Sequence, residues 1–290
     1  MVATWGGPPD VSADRHLSGT LDSTDGLAIF FQRWAPAGAA RATLMISHGL
    51  AEHSGRYGNV IEHLVPLGYA VYALDHRGHG RSDGERCHVD RFNQFVDDLE
   101  RFRQTVRSAQ PTGPLILIGH SMGGAIALAY TIRHQQHLDG LVLSGPASTR
   151  GRSPSIFESA RIEVLARLMP HRRLPPLPSS AISRDAAVVA AYDRDPLVTR
   201  NGPTVRLRRE LRRVARNFPA SMPGITLPVL IQHGEADELV SVEASVFLAD
   251  RLGSESITLH TYPGLAHEVY NEPERGRVLE DLAGWLTSRW

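Results

Sequence analysis

Short, nearly continuous apolar runs recur along the chain, separated by segments of helical length. They are "ATLMIS" (42–47), "YAVYALD" (69–75), "PLILIG" (114–119), "LDGLVLSG" (138–145), "PVLIQHG" (228–234) and "SITLHTY" (256–262). Apolar character that does not alternate predicts strands covered on both faces, hence a parallel sheet between layers of helices. "GTLDSTDGLAIFFQRW" (19–34) predicts an antiparallel hairpin turning at Asp25-Gly26. Helical spacing predicts helices over 90–109 (Phe92, Phe95, Val96, Leu99, Phe102), 122–134, 242–252 and 273–287, the last starting at Pro273. The pattern is that of a doubly wound α/β sheet.

The rhythm breaks between about 150 and 222. Two amphipathic patterns, "IFESARIEVLARLM" (156–169) and "VRLRRELRRVARNF" (205–218), flank the Pro-rich "RRLPPLPSS", with no buried strand between them. We expect a helical cap (151–222) inserted between a first (1–150) and a second (223–290) part of the core. The second helix sets Leu207, Leu211, Val214 and Phe218 on one face and arginines around the rest. Such a helix suits a solvated lid, and its basic face suits peripheral contact with an anionic membrane.

Length and charge narrow the function classes. A chain of 290 residues can bury a sizeable core without staples. Its 31 basic residues, all arginine, match 31 acidic ones, so no overall field favours nucleic acid. The single cysteine, Cys87, excludes an internal disulfide and suits a reducing compartment. The opening "MVATWGGPPDVSADR" does not read as a secretory signal, and no run approaches a membrane span, so the expected location is cytoplasmic.

"LILIGHSMGGAIALA" (115–129) carries the chemistry. Gly119-His120-Ser121-Met122-Gly123 fits G-x-S-x-G between a buried strand and a helix, the context in which a serine hydroxyl is held out at a strained turn. A serine needs a base, and the base an orienting carboxylate, both after Ser121 at the ends of later strands. Asp237 is the chosen acid, with Glu235 its competitor. His267, in the loop after the last strand, is the chosen base over His233 and His260, which fall at a strand end and within a strand. The backbone N–H groups of Met122 and of Leu50, after His48-Gly49, are the expected oxyanion donors. His76 and His79, with His48 or His53 near, lack the spacing of a zinc helix and read as a supporting loop, so neither metal nor cofactor is expected.

Together "SHGLAEHSGRY", "ALDHRGHGRSDGER", "GHSMGGAIALA", "AISRDAAVVAAYDRDPLV", "LIQHGEADELV" and "YPGLAHEVYNEPE" resemble the monoacylglycerol lipase family of α/β-hydrolases. The resemblance runs from about residue 16 to the end. It implies an α/β-hydrolase fold, a monoacylglycerol or similar lipid ester as substrate, and the same Ser121, Asp237, His267, Leu50 and Met122. It further implies that Glu52, Arg56 and His120, with Tyr192 from the cap, receive the glycerol head. Some relatives carry a second histidine three residues after the catalytic one, where this chain has Tyr270. The alternative on the same triad is a lysophospholipase or a short- to medium-chain esterase.

Overall fold

The computed structural model describes residues 16–148 and 156–290. Eight strands form one sheet: β1 (His16–Asp22), β2 (Ala28–Trp34), β3 (Thr43–Ser47), β4 (Ala70–Leu74), β5 (Leu115–His120), β6 (Gly140–Ser144), β7 (Val229–Gly234) and β8 (Ile257–Tyr262). Their order is β1-β2-β4-β3-β5-β6-β7-β8. β2 pairs antiparallel with both neighbours, and β3 to β8 are parallel. All six apolar runs are strands, and the hairpin closes with Asp22 opposite Ala28.

Alternation along each strand explains why the runs are apolar throughout. Met45, Leu115, Leu117, Leu141, Leu143 and Ile231 point to one face, Leu44, Ile46, Ile116, Ile118, Val142 and Leu230 to the other, and each set founds its own core. The first core is covered by α2 (Asn93–Ala109) and α3 (Met122–His134), the second by α1 (Gly58–Leu64) and α8 (Arg275–Thr287). Helix α3 is buried from Met122 through Thr131, the pattern of a central helix rather than an amphipathic one. The last helix begins at Arg275, two residues after Pro273.

Between β6 and β7 the chain leaves the sheet through α4 (Ile156–Leu168), α5 (Ala186–Arg194) and α6 (Val205–Ser221); β7 returns it to the sheet, and α7 (Glu243–Ala249) connects β7 to β8. Leu207 and Phe218 of α6 join the first core, and Val205 packs on Ile162 and Ala166 of α4. The arginines of α6 are less available than their spacing suggests. Arg209 pairs with Glu163 and Glu210, Arg213 with Glu210, and Arg216 with Glu163. The apolar side chains exposed nearby are Val164, Leu168 and Met169.

Candidate active site

β5 runs straight into α3 through Ser121, which adopts φ +52° and ψ −117°, a left-handed backbone rare outside glycine. Two close approaches enforce this turn. A Cβ on Gly123 would stand 2.0 Å from Ser47 O and 2.4 Å from His48 O, and one on Gly119 would stand 2.7 Å from Ala127 Cβ and from Gly123 O. Only glycine lets strand, helix and the end of β3 meet here. Strain of this kind persists where the surroundings over-determine it. Here the Ser121 N–H donates to Ser144 O and its carbonyl accepts from Ala125 and Ala147.

Asp237 and His267 come together by a further close approach. At the end of β7 a Cβ on Gly234 would lie 2.3 Å from Leu265 O and Ala266 O, so glycine lets the loop after β8 cross it. His267 Nδ1 then donates to Asp237 Oδ2 at 2.6 Å, with the carboxylate side chain wholly buried. The backbone at Gly145, one residue past the Ser144 carbonyl bonded to Ser121, lies against the pair: a Cβ there would be 3.2 Å from His267 Nδ1. Asp237 Oδ1 accepts from the Leu239 and Val240 N–H groups at 2.8 and 2.9 Å. Burial pushes its carboxyl pKa up, but the hydrogen bonds from His233 and His267 outweigh that and hold it well below the usual carboxylate range. Glu235 is exposed and accepts from Thr261 instead, and His260 stacks along β8 on Tyr262.

His233 belongs to this constellation, which its place at a strand end concealed. Its Nε2 lies 3.1 Å from Asp237 Oδ2 and 2.8 Å from Val240 O, two groups that only accept, so Nε2 carries the proton. Its Nδ1, 2.6 Å from Ser245 Oγ, then accepts from the hydroxyl. Asp237 Oδ2 thus receives one imidazole donor from each side.

Leu50, Ser121 and Met122 line one cavity of about 180 Å³, closed by Ala147, Leu177 and, from α6, Leu211 and Ala215. The loop carrying Leu50 is fixed from behind. His48 Nδ1 donates to Gly49 O at 2.7 Å, and His48 Nε2 accepts the His76 N–H at 2.9 Å. Burial drives His48 down to about 4 and His79 to about 3, with His76 pushed the same way, so all three are neutral in the working range. His53 caps the turn Ser54–Arg56 and meets Asp195 at 2.9 Å. These four histidines are placed as braces of the loop, each engaged with backbone or a neighbouring side chain.

Beside the serine lies a small polar recess lined by Glu52, Arg56, Tyr57, His120, Glu268, Tyr270 and Asn271. Arg56 donates to Glu52 at 3.0 Å and to both oxygens of Glu268 at 2.5 and 2.8 Å, and its guanidinium lies 4.7 Å over the Tyr192 ring. Burial opposes the Arg56 charge, and the two carboxylates more than restore it. Glu52 also accepts from Gly49 N–H at 2.6 Å and from Tyr57, tying the recess to the Leu50 loop. Burial and His267 lower His120 to about 4; its Nδ1 donates to Ser144 O, and its ring is 4.7 Å from that of His267. Tyr270 bonds to Gln232 at 2.7 Å. Glu268 was not legible as a partner of Arg56, 212 residues away.

The loop carrying His267 is also bonded to the segment before α5. Glu272, wholly buried, accepts from Ser183 Oγ at 2.7 Å, from Arg184 N–H at 2.6 Å and from Ala266 N–H at 3.1 Å, and Glu268 N–H donates to Ile182 O.

A family model described as serine aminopeptidase, S33 (Hydrolase_4) matches residues 38–274. The chain is 41% identical over 265 residues to the monoacylglycerol lipase of Mycolicibacterium smegmatis, covering 91% of this chain and 94% of that protein. Against the monoglyceride lipase of Homo sapiens identity is 34% over 272 residues, covering 93% and 90%. A crystal structure of Paleococcus ferrophilus monoacylglycerol lipase superposes with a TM-score of 0.81 at 29% identity, covering 90% of this chain and 98% of that one. The chain belongs to the monoacylglycerol lipase family of α/β-hydrolases.

Proposed function

We propose that the chain hydrolyses monoacylglycerols to fatty acid and glycerol through an acyl-enzyme formed on Ser121. The observation that supports this most directly is the 2.6 Å bond from His267 Nδ1 to buried Asp237, which leaves Nε2 as the base, together with a serine at φ +52° that lines the cavity beneath α6. His267 takes the Ser121 proton as Oγ attacks the ester carbonyl and returns it to the departing glycerol oxygen. Asp237 fixes the tautomer and stabilises the imidazolium. The N–H groups of Leu50 and Met122 bind the oxyanion, Met122 with the help of the α3 N-terminus. Water, activated by the same imidazole, then releases the fatty acid.

In this reading 151–222 is a cap, the cavity beneath α6 holds the acyl chain, and Glu52, Arg56, His120 and Tyr192 face the glycerol head. No described helix is long and apolar enough to cross a membrane. Contact with a lipid surface would fall to Val164, Leu168 and Met169 on the cap rather than to the paired arginines of α6. The test is Ser121→Ala, expected to abolish both fluorophosphonate labelling and release of fatty acid from a monoacylglycerol; retained labelling would assign the nucleophile elsewhere. Matched acyl chains on glycerol and on glycerophosphocholine complete it, with the glycerol ester turned over faster. The reverse order makes the enzyme a lysophospholipase.

A further inference from the structure

Away from Ser121, the described residues hold two groups of histidine and carboxylate side chains whose donor atoms lie within 4.8 Å of one another. In one, Glu100 with His134 and His137, the carboxylate is taken up by Arg103, which donates to both its oxygens at 2.9 and 2.7 Å. The other, Glu85 with His88 and His171, spans a seam. Glu85 and His88 lie in the loop after β4, and His171 lies in the cap just after α4.

Two imidazoles and a carboxylate suit a borderline divalent ion such as zinc better than magnesium or calcium, which prefer all-oxygen shells. The His88 and His171 rings face each other with centroids 4.7 Å apart and planes 24° from parallel. His171 Nδ1 is 2.6 Å from Glu85 Oε2, while the other carboxylate oxygen, Oε1, accepts from Arg173 at 2.9 Å. Arg173 therefore steadies the carboxylate through the oxygen a metal would leave alone. His88 is steadied likewise: its Nδ1 meets Thr204 Oγ1 at 3.0 Å, which leaves Nε2, 3.4 Å from the exposed Asp90 carboxylate, as the ligand atom. An orienting hydrogen bond on the second atom of a ligand is the usual support of a metal site. Tetrahedral zinc, with bonds of about 2.0–2.2 Å, needs donors roughly 3.3 Å apart, so no pair need close by more than about 1.5 Å, and His171 Nδ1 and Glu85 Oε2, now 2.6 Å apart, must open by about 0.7 Å. The members that would move can do so, because the His171 side chain is 64% exposed and that of Glu85 36%.

We propose that Glu85, His88 and His171 bind a zinc-type divalent ion, with water as fourth ligand, that clasps the cap to the loop after β4. Thr204, the partner of His88, is also the N-cap of α6, accepting from Leu207 N–H at 3.1 Å. The clasp therefore sits at the base of the helix that covers the Ser121 cavity, and the bound ion favours the covered arrangement.

The test is thermal unfolding of the full chain, freed of metal by chelation and titrated with zinc chloride. The expected result is a rise in Tm of about 5 °C once free zinc exceeds its Kd a hundredfold. The rise is reversed by EDTA, absent in His171→Ala and retained in His134→Ala, which breaks the other group. Because His171 is exposed, the metal-free melting of His171→Ala serves to report that the variant folds. No zinc-dependent shift in the parent chain overturns the proposal. So does the same shift in His171→Ala, or one lost only in His134→Ala.

Discussion

Gly123→Ala tests the turn that presents Ser121. The added methyl would sit 2.0 Å from Ser47 O and 2.4 Å from His48 O, and ordinary contact at 3.4 Å demands about 1.4 Å of separation. Neither obstacle is a side chain that can swing aside. Ser47 closes β3, paired on both edges with β4 and β5, and the next residues are the loop that carries Leu50. Overpacking of this kind costs typically 1–3 kcal/mol, and the rigid backbone on one side puts this substitution at about 3 kcal/mol. The kinetic effect should be larger. A shift of about 1 Å in the Leu50 loop displaces one of the two proposed oxyanion donors, worth 10²- to 10³-fold in kcat. Initial rates on a soluble monoacylglycerol and denaturant unfolding measure the two effects separately. A control, Gly276→Ala in α8, meets nothing within 4 Å and should leave kcat unchanged while raising stability by about 0.5–1 kcal/mol. A Gly123→Ala enzyme with kcat within threefold of the parent and unchanged stability would refute the reasoning.

Three further outcomes follow from the buried histidines and the cysteine. His233→Ala removes one donor from Asp237, and a hydrogen bond to a charged group is worth about 1.5–3 kcal/mol, so kcat should fall roughly 10- to 150-fold with KM little changed. His233→Gln, which can still donate, should recover part of that loss, and an undiminished kcat in the alanine variant would dismiss the role. His48 and His120 at about 4 and His79 at about 3 refuse protons that the unfolded chain accepts below about 6.5. Stability is therefore full above that pH and lost as pH falls toward 4, by on the order of 5 kcal/mol between pH 7 and 5; a flat denaturation midpoint over this window would contradict it. Burial raises the Cys87 thiol to about 11, leaving roughly one thiolate in a thousand at pH 8, so iodoacetamide should neither label nor inactivate the native enzyme. Rapid native labelling would mean that the loop opens.

The sheet was legible because its central strands are buried on both faces and leave unbroken apolar runs, and because the hairpin carries Asp25-Gly26. Ser121 was legible for the related reason that its motif sits at a strand-to-helix switch. What escaped the sequence was short or distant. Helix α1 has seven residues and no capping side chain. In α5, Asp185 caps the start, but the Ala- and Val-rich run behind it has little polar contrast to mark a face. Glu268 and Arg56 meet only through the fold, and His233 reaches Asp237 because the chain turns back within four residues. The ion pairs of α6 were equally hidden: the spacing of its arginines implies a charged face, and only the fold shows that Glu163 and Glu210 pair with three of them. Periodicity reports which side of a helix is wet, not which charges lie opposite.

Glu272 grips Ser183 and Arg184 on one side and the Ala266 amide on the other. His267, the proposed base, thus shares an anchor with the segment that leads into α5. On warming, activity should fail before the strands separate, since slackening around residues 182–184 unseats the imidazole while the scaffold beneath stays intact. Engineering for heat tolerance should therefore begin at this anchor rather than in the interior.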